Sequence, residues 1–498
     1  MNRAWALPSG KFCDEHQTTN RVRATPWAMR RTKIVATVGP ATSDIESMTG
    51  IITAGVDVIR LNASHGTLEE HRANARQARQ IAADLNKTVG VLVDLPGPKL
   101  RSGDVRAGEV ELGLGQRFTL FGASTIGDQN GVATTLPALG SWLTRGDEVF
   151  LADGAIVLEV IEIDGVDVVT TVRRGGTLRS RKGMHVPHAE RHIDPFTARD
   201  GEALEMAIEI RADFVGLSFV RNADDVEGVR ARLPKRGIRP SLIAKIETAL
   251  AIDNLTAIIA VADSVMVARG DLGIQMPAKQ VPLIQKDIIR LCNIAGRPVI
   301  TATQMLESMT RAPLPTRAEV NDVANAVIDG TDALMLSEET AVGSHPSDVV
   351  RTMAEVAQAA QAWDRHVETP NGATAADNDR VAWAVAAAAV HAAKDLGVSA
   401  ILCPTRSGQT ARRVAAFRPP MPIAGISPTQ EVLAGLSLVW GVTPLAVPET
   451  SDPSQQLRLA VQSARVSGLV DEGDLVALVF GDSGPRAGST DSVRIVRA

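Results

Sequence analysis

Ser241-Leu-Ile-Ala-Lys-Ile-Glu247, followed by Ser264-Val-Met-Val-Ala-Arg-Gly-Asp-Leu-Gly273, decides the fold. Each segment is a short apolar run that ends in charge, and each leads into a helical stretch. The same rhythm extends in both directions. Upstream are Lys33-Ile-Val-Ala-Thr-Val38, Val56-Asp-Val-Ile-Arg-Leu61 and Val89-Gly-Val-Leu-Val-Asp94. Nearby are Phe214-Val-Gly-Leu-Ser218, Pro298-Val-Ile-Thr301 and Ala333-Leu-Met-Leu-Ser337. Ser43 is the expected N-cap of the first helix. Eight such βα units, three before a break and five after it, are the count of a (β/α)8 barrel.

The break runs from Lys99 to His192. It is glycine-rich, with short alternating runs such as Glu148-Val-Phe-Leu151 and Ala155-Ile-Val-Leu-Glu-Val160, and turns such as Asp164-Gly165. This reads as a small β-barrel-like domain inserted as a lid. The expected division is an N-terminal extension over 1–28, with Met29 as the true start; a catalytic barrel over 29–98 and 193–365; the lid over 99–192; a linker over 366–380; and a C-terminal α/β domain over 381–498. Strands of that last domain are expected at Ala400-Ile-Leu402, Met421-Pro-Ile-Ala424, Leu475-Val-Ala-Leu-Val-Phe480 and Val493-Arg-Ile-Val496.

Composition sets the class. At 22% charged and 45% apolar residues the chain is an ordinary globular one. A net charge of −5 gives no reason to expect nucleic acid. The alanine-rich run Val381–Ala393 is interrupted by His391, and no stretch is long and apolar enough to span a bilayer. The first 28 residues lack an apolar signal core. A cytoplasmic protein without membrane partners is the expectation. Cys13, Cys292 and Cys403 stand far apart, outside any metal or redox spacing, and read as idle thiols.

Polar groups gather where the barrel strands end: Arg60 and Asn62, Asp94, Ser218, Lys245 and Glu247, Asp271, Thr301 and Thr303, and Ser337. Barrel enzymes build their sites on that face. Capping and turn roles account for the serines and threonines one by one, but poorly for two acids and a lysine after apolar strands. Residues two apart on a strand point the same way, so Lys245 and Glu247 share a face. Glu247 and Asp271, from adjacent strands, suit Mg²⁺, which keeps waters and takes its other oxygens from phosphates. A buried Lys–Glu pair with Asp271 as a helix cap is the plain alternative. The glycines of Ala268-Arg-Gly-Asp271 allow close backbone approach, and amides at a helix start suit an anion. Arg60-Leu-Asn-Ala-Ser-His65 offers a cation and several polar groups to a phosphate, though His65 alone could be a surface histidine. Asp94-Leu-Pro-Gly-Pro-Lys-Leu-Arg101 is a stiff hinge that brings Lys99 and Arg101 over the barrel mouth. A hinged lid there would exclude water from a transfer reaction.

These segments, with Arg31-Thr-Lys-Ile-Val-Ala-Thr-Val-Gly-Pro40, Thr301-Ala-Thr-Gln-Met-Leu-Glu-Ser-Met309 and the run from Pro315 to Gly330, resemble the pyruvate kinase family from about Met29 to the C-terminus. The resemblance implies Mg²⁺- or Mn²⁺-dependent phosphoryl transfer from phosphoenolpyruvate to ADP, giving pyruvate and ATP, by a homotetramer. By position, Glu247 and Asp271 match the metal ligands. Lys245 and Arg60 match the groups around the migrating phosphoryl. The backbone of Ala268, Arg269, Gly270 and Asp271, with Ser218, Ser337 and the Thr303 hydroxyl, matches the substrate-binding set. Thr303 also matches the residue tied to protonating the enolate. His65, Arg101, Asp153 and Lys182 match nucleotide contacts. Asn62, Ser64 and Asp94 match the neighbourhood of a monovalent cation.

The chain departs from the family after the third strand, where Leu95 replaces a threonine and Lys99 a glutamate. A lysine ammonium can supply the charge that K⁺ supplies elsewhere, so K⁺ is expected not to be required. Glu338 stands where relatives carry a small residue. The last domain resembles the family's effector domain. Thr405, Ser407, Gly408 and Thr410 form a hydroxyl-rich loop before a helix, and Arg486 lies on a second, glycine-rich loop. These are candidates for a sugar-phosphate or nucleotide effector, a decayed site being the alternative. Two rival readings remain: a metal-dependent barrel lyase acting on pyruvate or oxaloacetate, which has no use for a nucleotide lid, and an inactive metabolite-sensing paralogue.

Overall fold

The computed structural model describes residues 30–498 except 137, 153, 188, 190–191, 235–238, 364–366, 371–379 and 482–489. Met29, Cys13, Asp153, Arg486 and most of the expected linker thus lie outside the described residues.

Eight parallel strands close into a barrel. In chain order they are Lys33–Thr37, Val58–Asn62, Gly90–Asp94, Phe214–Leu217, Ser241–Ile246, Ser264–Ala268, Val299–Ala302 and Ala333–Leu336. Alternation sorts each strand between two cores. Val35, Val58, Leu92, Phe214, Ile243 and Met266 face inward and fill the barrel. Neighbours such as Ile34, Ala36, Ile59 and Val91 face outward and pack on the helices. Leu438 of the C-terminal domain joins the inner cluster and plugs the amino-terminal end. That end is also tied down by Arg418, which pairs with Asp332 at 2.9 Å and donates to Asn293 Oδ1 at 2.6 Å. The carboxyl-terminal end is left for chemistry.

Between the third and fourth barrel strands lies a six-stranded sheet in the order Met184–His185, Glu148–Leu151, Ile156–Asp164, Asp167–Arg174, Arg117–Phe121, Gly131–Ala133. Gly176–Arg179 pairs with Glu109–Leu112 beside it. The insertion has its own core, centred on Phe118, Leu120, Val149, Leu158 and Val172.

The C-terminal domain is a five-stranded sheet ordered Val442–Ala446, Ile423–Ser427, Ala400–Pro404, Leu475–Phe480, Ser492–Arg497, the last strand antiparallel. Four of these strands are legible from sequence. Val442–Ala446 is not, because Pro444 argues against a strand; it survives because this strand is an edge. The alanine-rich run forms part of the Arg380–Asp395 helix, whose buried face is Ala382, Ala386, Ala389, Val390 and Ala393. The expected Ser43 cap is corrected: the first helix spans Ile45–Ala54 and Asp44 caps it, its carboxylate accepting from Ser47 N–H at 2.9 Å. Cys292 and Cys403 are buried, and burial holds both thiols protonated.

Asp213, just before the fourth strand, accepts from Val91 N–H at 2.8 Å. Burial pushes its carboxyl up to about 6. The folded state therefore keeps a proton that the unfolded chain has released between about pH 4 and 6, and stability falls as pH rises through that window. Asp213→Asn retains an acceptor for Val91 and removes the buried charge. It should raise the melting temperature at pH 7.5, by a free energy of at most about 3 kcal/mol, and leave it unchanged at pH 4. Melting curves of both proteins at the two pH values check this.

Candidate active site

Lys245 is the centre of the barrel mouth. Its ammonium donates to Ser218 Oγ at 2.7 Å and lies 3.4 Å from Asp94 Oδ1 and 3.5 Å from Glu247 Oε2. Burial alone would lower its pKa, but Asp94 and Glu247 outweigh that and hold it above the usual lysine value. Ser218 Oγ donates onward to Leu95 O at 2.7 Å. Ser218 thus supports the lysine, and its hydroxyl is not turned solely to a substrate.

Asp94 takes a second cation. Arg60 Nε and Nη2 both reach Asp94 Oδ2, at 2.8 and 2.6 Å, and Nη1 donates to Thr37 Oγ1 at 3.0 Å. Burial would raise the Asp94 carboxyl; Lys245 and Arg60 hold it below its usual range instead. The strand ends carrying Thr37, Arg60, Asp94 and Lys245 are therefore clamped by one buried network.

Glu247 is fully buried. Its Oε1 accepts from Phe219 N–H at 2.6 Å, while Oε2 has no hydrogen-bond partner in the structure. Burial pushes this carboxyl up to about 7; Lys245 opposes the shift and the Asp271 charge adds to it. A buried carboxylate oxygen that makes no hydrogen bond, has Lys245 at 3.5 Å and feels the charge of a second acid is a costly arrangement that a further cation would relieve. Among the described residues no cluster of three or more His, Cys, Asp or Glu side chains could cage a metal. Two carboxylates are what Mg²⁺ or Mn²⁺ needs when substrate supplies other oxygens, so the residues fit that ion.

Asp271 lies in the first turn of the Arg269–Gln275 helix. Arg269 does not present its side chain to this mouth. The guanidinium turns back to Asp322 at 2.7 Å, to Gln285 at 3.3 Å and to the carbonyls of Thr303 and Gln304. Only its backbone remains available for an anion. Those bonds hold Thr303 and Gln304 at φ +66° and +53°, a conformation that costs a branched residue about 1–3 kcal/mol. The return is a fixed hydroxyl: Thr303 Oγ1 accepts from Gly270 N–H at 2.8 Å and donates to Ala302 O at 2.6 Å. Ser337 N–H donates to Glu339 Oε2 at 2.6 Å, and its own Oγ is buried without a hydrogen-bond partner. Glu339, whose carboxyl burial pushes up, also accepts from Leu306 N–H. Glu338, the odd residue in the sequence, is exposed.

His65 and Lys99 are exposed at the rim. Partial burial and the charges of Arg101, Lys99 and Arg60 lower the His65 pKa, so these residues form one positive zone. Arg101 N–H donates to Thr135 Oγ1 and its Nη1 to Arg181 O, which ties it to the lid. Lys182 is exposed. Asn62 Oδ1 accepts from Ser64 N–H at 3.2 Å. In the last domain, Thr405 Oγ1 accepts from Gly408 N–H at 2.9 Å, Thr410 shares a 2.8 Å hydrogen bond with Thr490, and Ser407 is half-buried.

Sequence reasoning missed Gln285, Asp322 and Glu339, which hold the mouth from behind. Gln285 and Asp322 act on Arg269, 16 and 53 positions away, and Glu339 acts on Leu306, 33 positions away, as well as on nearby Ser337, so nothing local ties these residues to the mouth.

Comparison with known proteins places the chain in a family. The family "Pyruvate kinase, barrel domain" matches residues 29–350, and "Pyruvate kinase, alpha/beta domain" matches residues 383–496. A pyruvate kinase of Bacillus licheniformis is 40% identical over 470 residues, 94% of this chain and 80% of that protein. One of Thermotoga maritima is 38% identical over 469 residues, 94% of this chain and 100% of that protein. The crystal structure of a pyruvate kinase from Cryptosporidium parvum superposes with a TM-score of 0.86 at 33% identity, covering 95% of this chain and 97% of that one. With both domains matched and almost the whole length aligned, the chain belongs to the pyruvate kinase family.

Proposed function

We propose a division of labour within the barrel mouth for the family's reaction, phosphoryl transfer between phosphoenolpyruvate and ADP. The observation that carries it is the orphaned Oε2 of Glu247 beside Lys245 and Asp271. Glu247 and Asp271 would hold Mg²⁺ or Mn²⁺, which when bound neutralises phosphoryl and carboxylate oxygens. Phosphoryl transfer asks the protein mainly for positioning and charge. Lys245 and Arg60 supply positive charge beside the migrating group, both held in place by Asp94. The Ala268–Asp271 backbone, stiffened by Thr303 and Arg269, receives the substrate carboxylate. Thr303 stands where a proton could be relayed to the enolate through water. The positive zone of His65 and Arg101, with Lys182 and Asp153 of the lid, receives the nucleotide.

Lys99 is proposed to replace K⁺. What supports this is that Lys99 lines the same crevice as Asp271 and that its charge acts on His65. Asn62, Ser64 and Asp94 remain its expected neighbourhood. The loops holding Thr405, Ser407, Gly408, Thr410 and Arg486 are proposed to take a sugar-phosphate or nucleotide effector. A homotetramer in the cytoplasm completes the reading; among the described residues no helix is long and apolar enough to cross a membrane.

The test is pyruvate release from phosphoenolpyruvate, ADP and Mg²⁺ with tetramethylammonium as the only monovalent cation. Turnover is expected, and adding K⁺ should change it less than about twofold. Turnover only after K⁺ is added would end the Lys99 proposal and leave the enzyme. No turnover in either buffer would end the assignment of roles.

A further inference from the structure

The lid touches the barrel at a point that no motif marks. His185 lies on the short Met184–His185 strand of the lid, paired with Phe150 across from it, and the two rings stack at a centroid distance of 5.7 Å. From that fixed position His185 Nδ1 meets Gln275 Nε2 at 3.3 Å. Gln275 is the last residue of the helix that carries Asp271 in its first turn. The other end of the same amide is also engaged: Gln275 Oε1 accepts from Ala249 N–H at 2.7 Å. Ala249 begins the helix two residues after Glu247.

One amide therefore joins three parts. It reaches the lid through His185, the turn after Glu247 through Ala249, and Asp271 through its own helix, four residues earlier on the same face. The amide suits this junction because it offers an acceptor and a donor at once. With Oε1 taken by Ala249 N–H, the amide NH₂ must face the imidazole, and Nδ1 is then the acceptor. Lys99, Phe219 and Asp271 line the crevice beside this contact, so the link closes over one flank of the barrel mouth.

We infer that His185 and Gln275 are positioning residues: a latch that seats the lid against the helix and the turn that carry the two carboxylates Glu247 and Asp271. This rests on the reading of those acids as the metal-holding pair. Neither residue touches a reacting atom. Closing the lid makes the 3.3 Å bond; opening it breaks that bond while the Gln275–Ala249 bond persists, so the carboxylates stay in place and only the closed state is lost. The consequence falls on nucleotide capture, which needs the lid, more than on the chemical step.

His185→Phe keeps the ring stack on Phe150 and deletes the acceptor. Gln275→Met keeps the length and deletes the amide. Losing one neutral hydrogen bond should lower the equilibrium constant for lid closure about fivefold. His185→Phe should therefore raise KM for ADP about fivefold with kcat changed less than twofold, whereas Gln275→Met, which also removes the acceptor of Ala249 N–H beside Glu247, should raise KM at least as much and lower kcat as well. The double variant should be no worse than Gln275→Met alone, because Gln275→Met already removes the His185 link together with the Ala249 bond. Hydrogen exchange at Gly183–Val186, followed with and without phosphoenolpyruvate and Mg²⁺, should quicken in both single variants. Unchanged KM and unchanged exchange would overturn the latch, as would additive effects in the double variant. Wild-type protein that does not turn over phosphoenolpyruvate and ADP would instead end the underlying reading, and the exchange comparison would still decide whether the link seats the lid.

Discussion

Lys245→Met is expected to lower kcat for pyruvate formation about a thousandfold while leaving a folded protein. Removing one preorganised donor from a developing negative charge costs about 10²–10³ in rate. Lys245 brings a full charge, held between Asp94 and Glu247 and fixed by Ser218. Stability should suffer less than activity. Breaking a buried ion pair typically costs about 3–5 kcal/mol because a bare charge is left behind. Here both partners have an alternative. Asp94 keeps the two Arg60 bonds, and Glu247 can take up a proton, since its carboxyl already titrates at about 7. The loss should be nearer about 1–2 kcal/mol. Lys245 stays charged throughout the working range because its pKa is raised, so its own titration adds no pH dependence; the activity loss should deepen toward about pH 6, where Glu247, no longer opposed by the lysine, takes up a proton. Steady-state pyruvate release and melting curves measure both quantities. A kcat within tenfold of wild type would remove Lys245 from its assigned place.

How much of this was legible in sequence depends on the range of the interaction. Barrel strands are legible because each is an apolar run with a local period, and their charged ends are legible because Lys245, Glu247 and Asp271 break that pattern within a few residues. The pairing of Lys245 with Glu247 follows from strand alternation alone, and the structure places them 3.5 Å apart. The direction of the Arg269 side chain does not follow. Next to Gly270 and Asp271 it reads as a site residue, yet its partner Asp322 is 53 positions on. Arg60 shows the same limit. Its position at a strand end is plain, but its commitment to Asp94 depends on two strands lying side by side, in the register Asn62 to Asp94. His185 and Gln275 carry no local signal, because their meaning depends on how the lid docks. Asp44 displaced Ser43 as a cap for a smaller reason: both residue types cap well, and one-residue boundaries are beyond pattern reading.

Glu247→Gln should separate function from stability in opposite directions. Function should fall by at least about a hundredfold in kcat, and Mn²⁺ affinity by more than the 10- to 100-fold typical of losing a residue that merely supports a ligand. The glutamine keeps the acceptor for Phe219 N–H, so the local backbone is not disturbed. Stability of the metal-free protein should rise at pH 8. The native carboxyl titrates at about 7 against an ordinary value of 4.5. The folded state therefore binds the extra proton between those values, and stability declines as pH rises through that window. At pH 8 the full cost of burying the charge is present, at most about 3 kcal/mol. The gain in the variant should be smaller, because its amide NH₂ must face the Lys245 ammonium. At pH 4.5 the two metal-free proteins should melt close together. Adding Mg²⁺ at pH 8 should raise the wild-type melting temperature by mass action and leave the variant unmoved. A variant that gains as much from Mg²⁺ as the wild type would show that the metal is held without Glu247. The assignment would then have to pass to Asp271 and the substrate. Wild type melting higher than the variant at pH 8 without metal would instead show that the Lys245–Glu247 attraction exceeds the cost of burial, and that the buried acid stabilises the fold by itself.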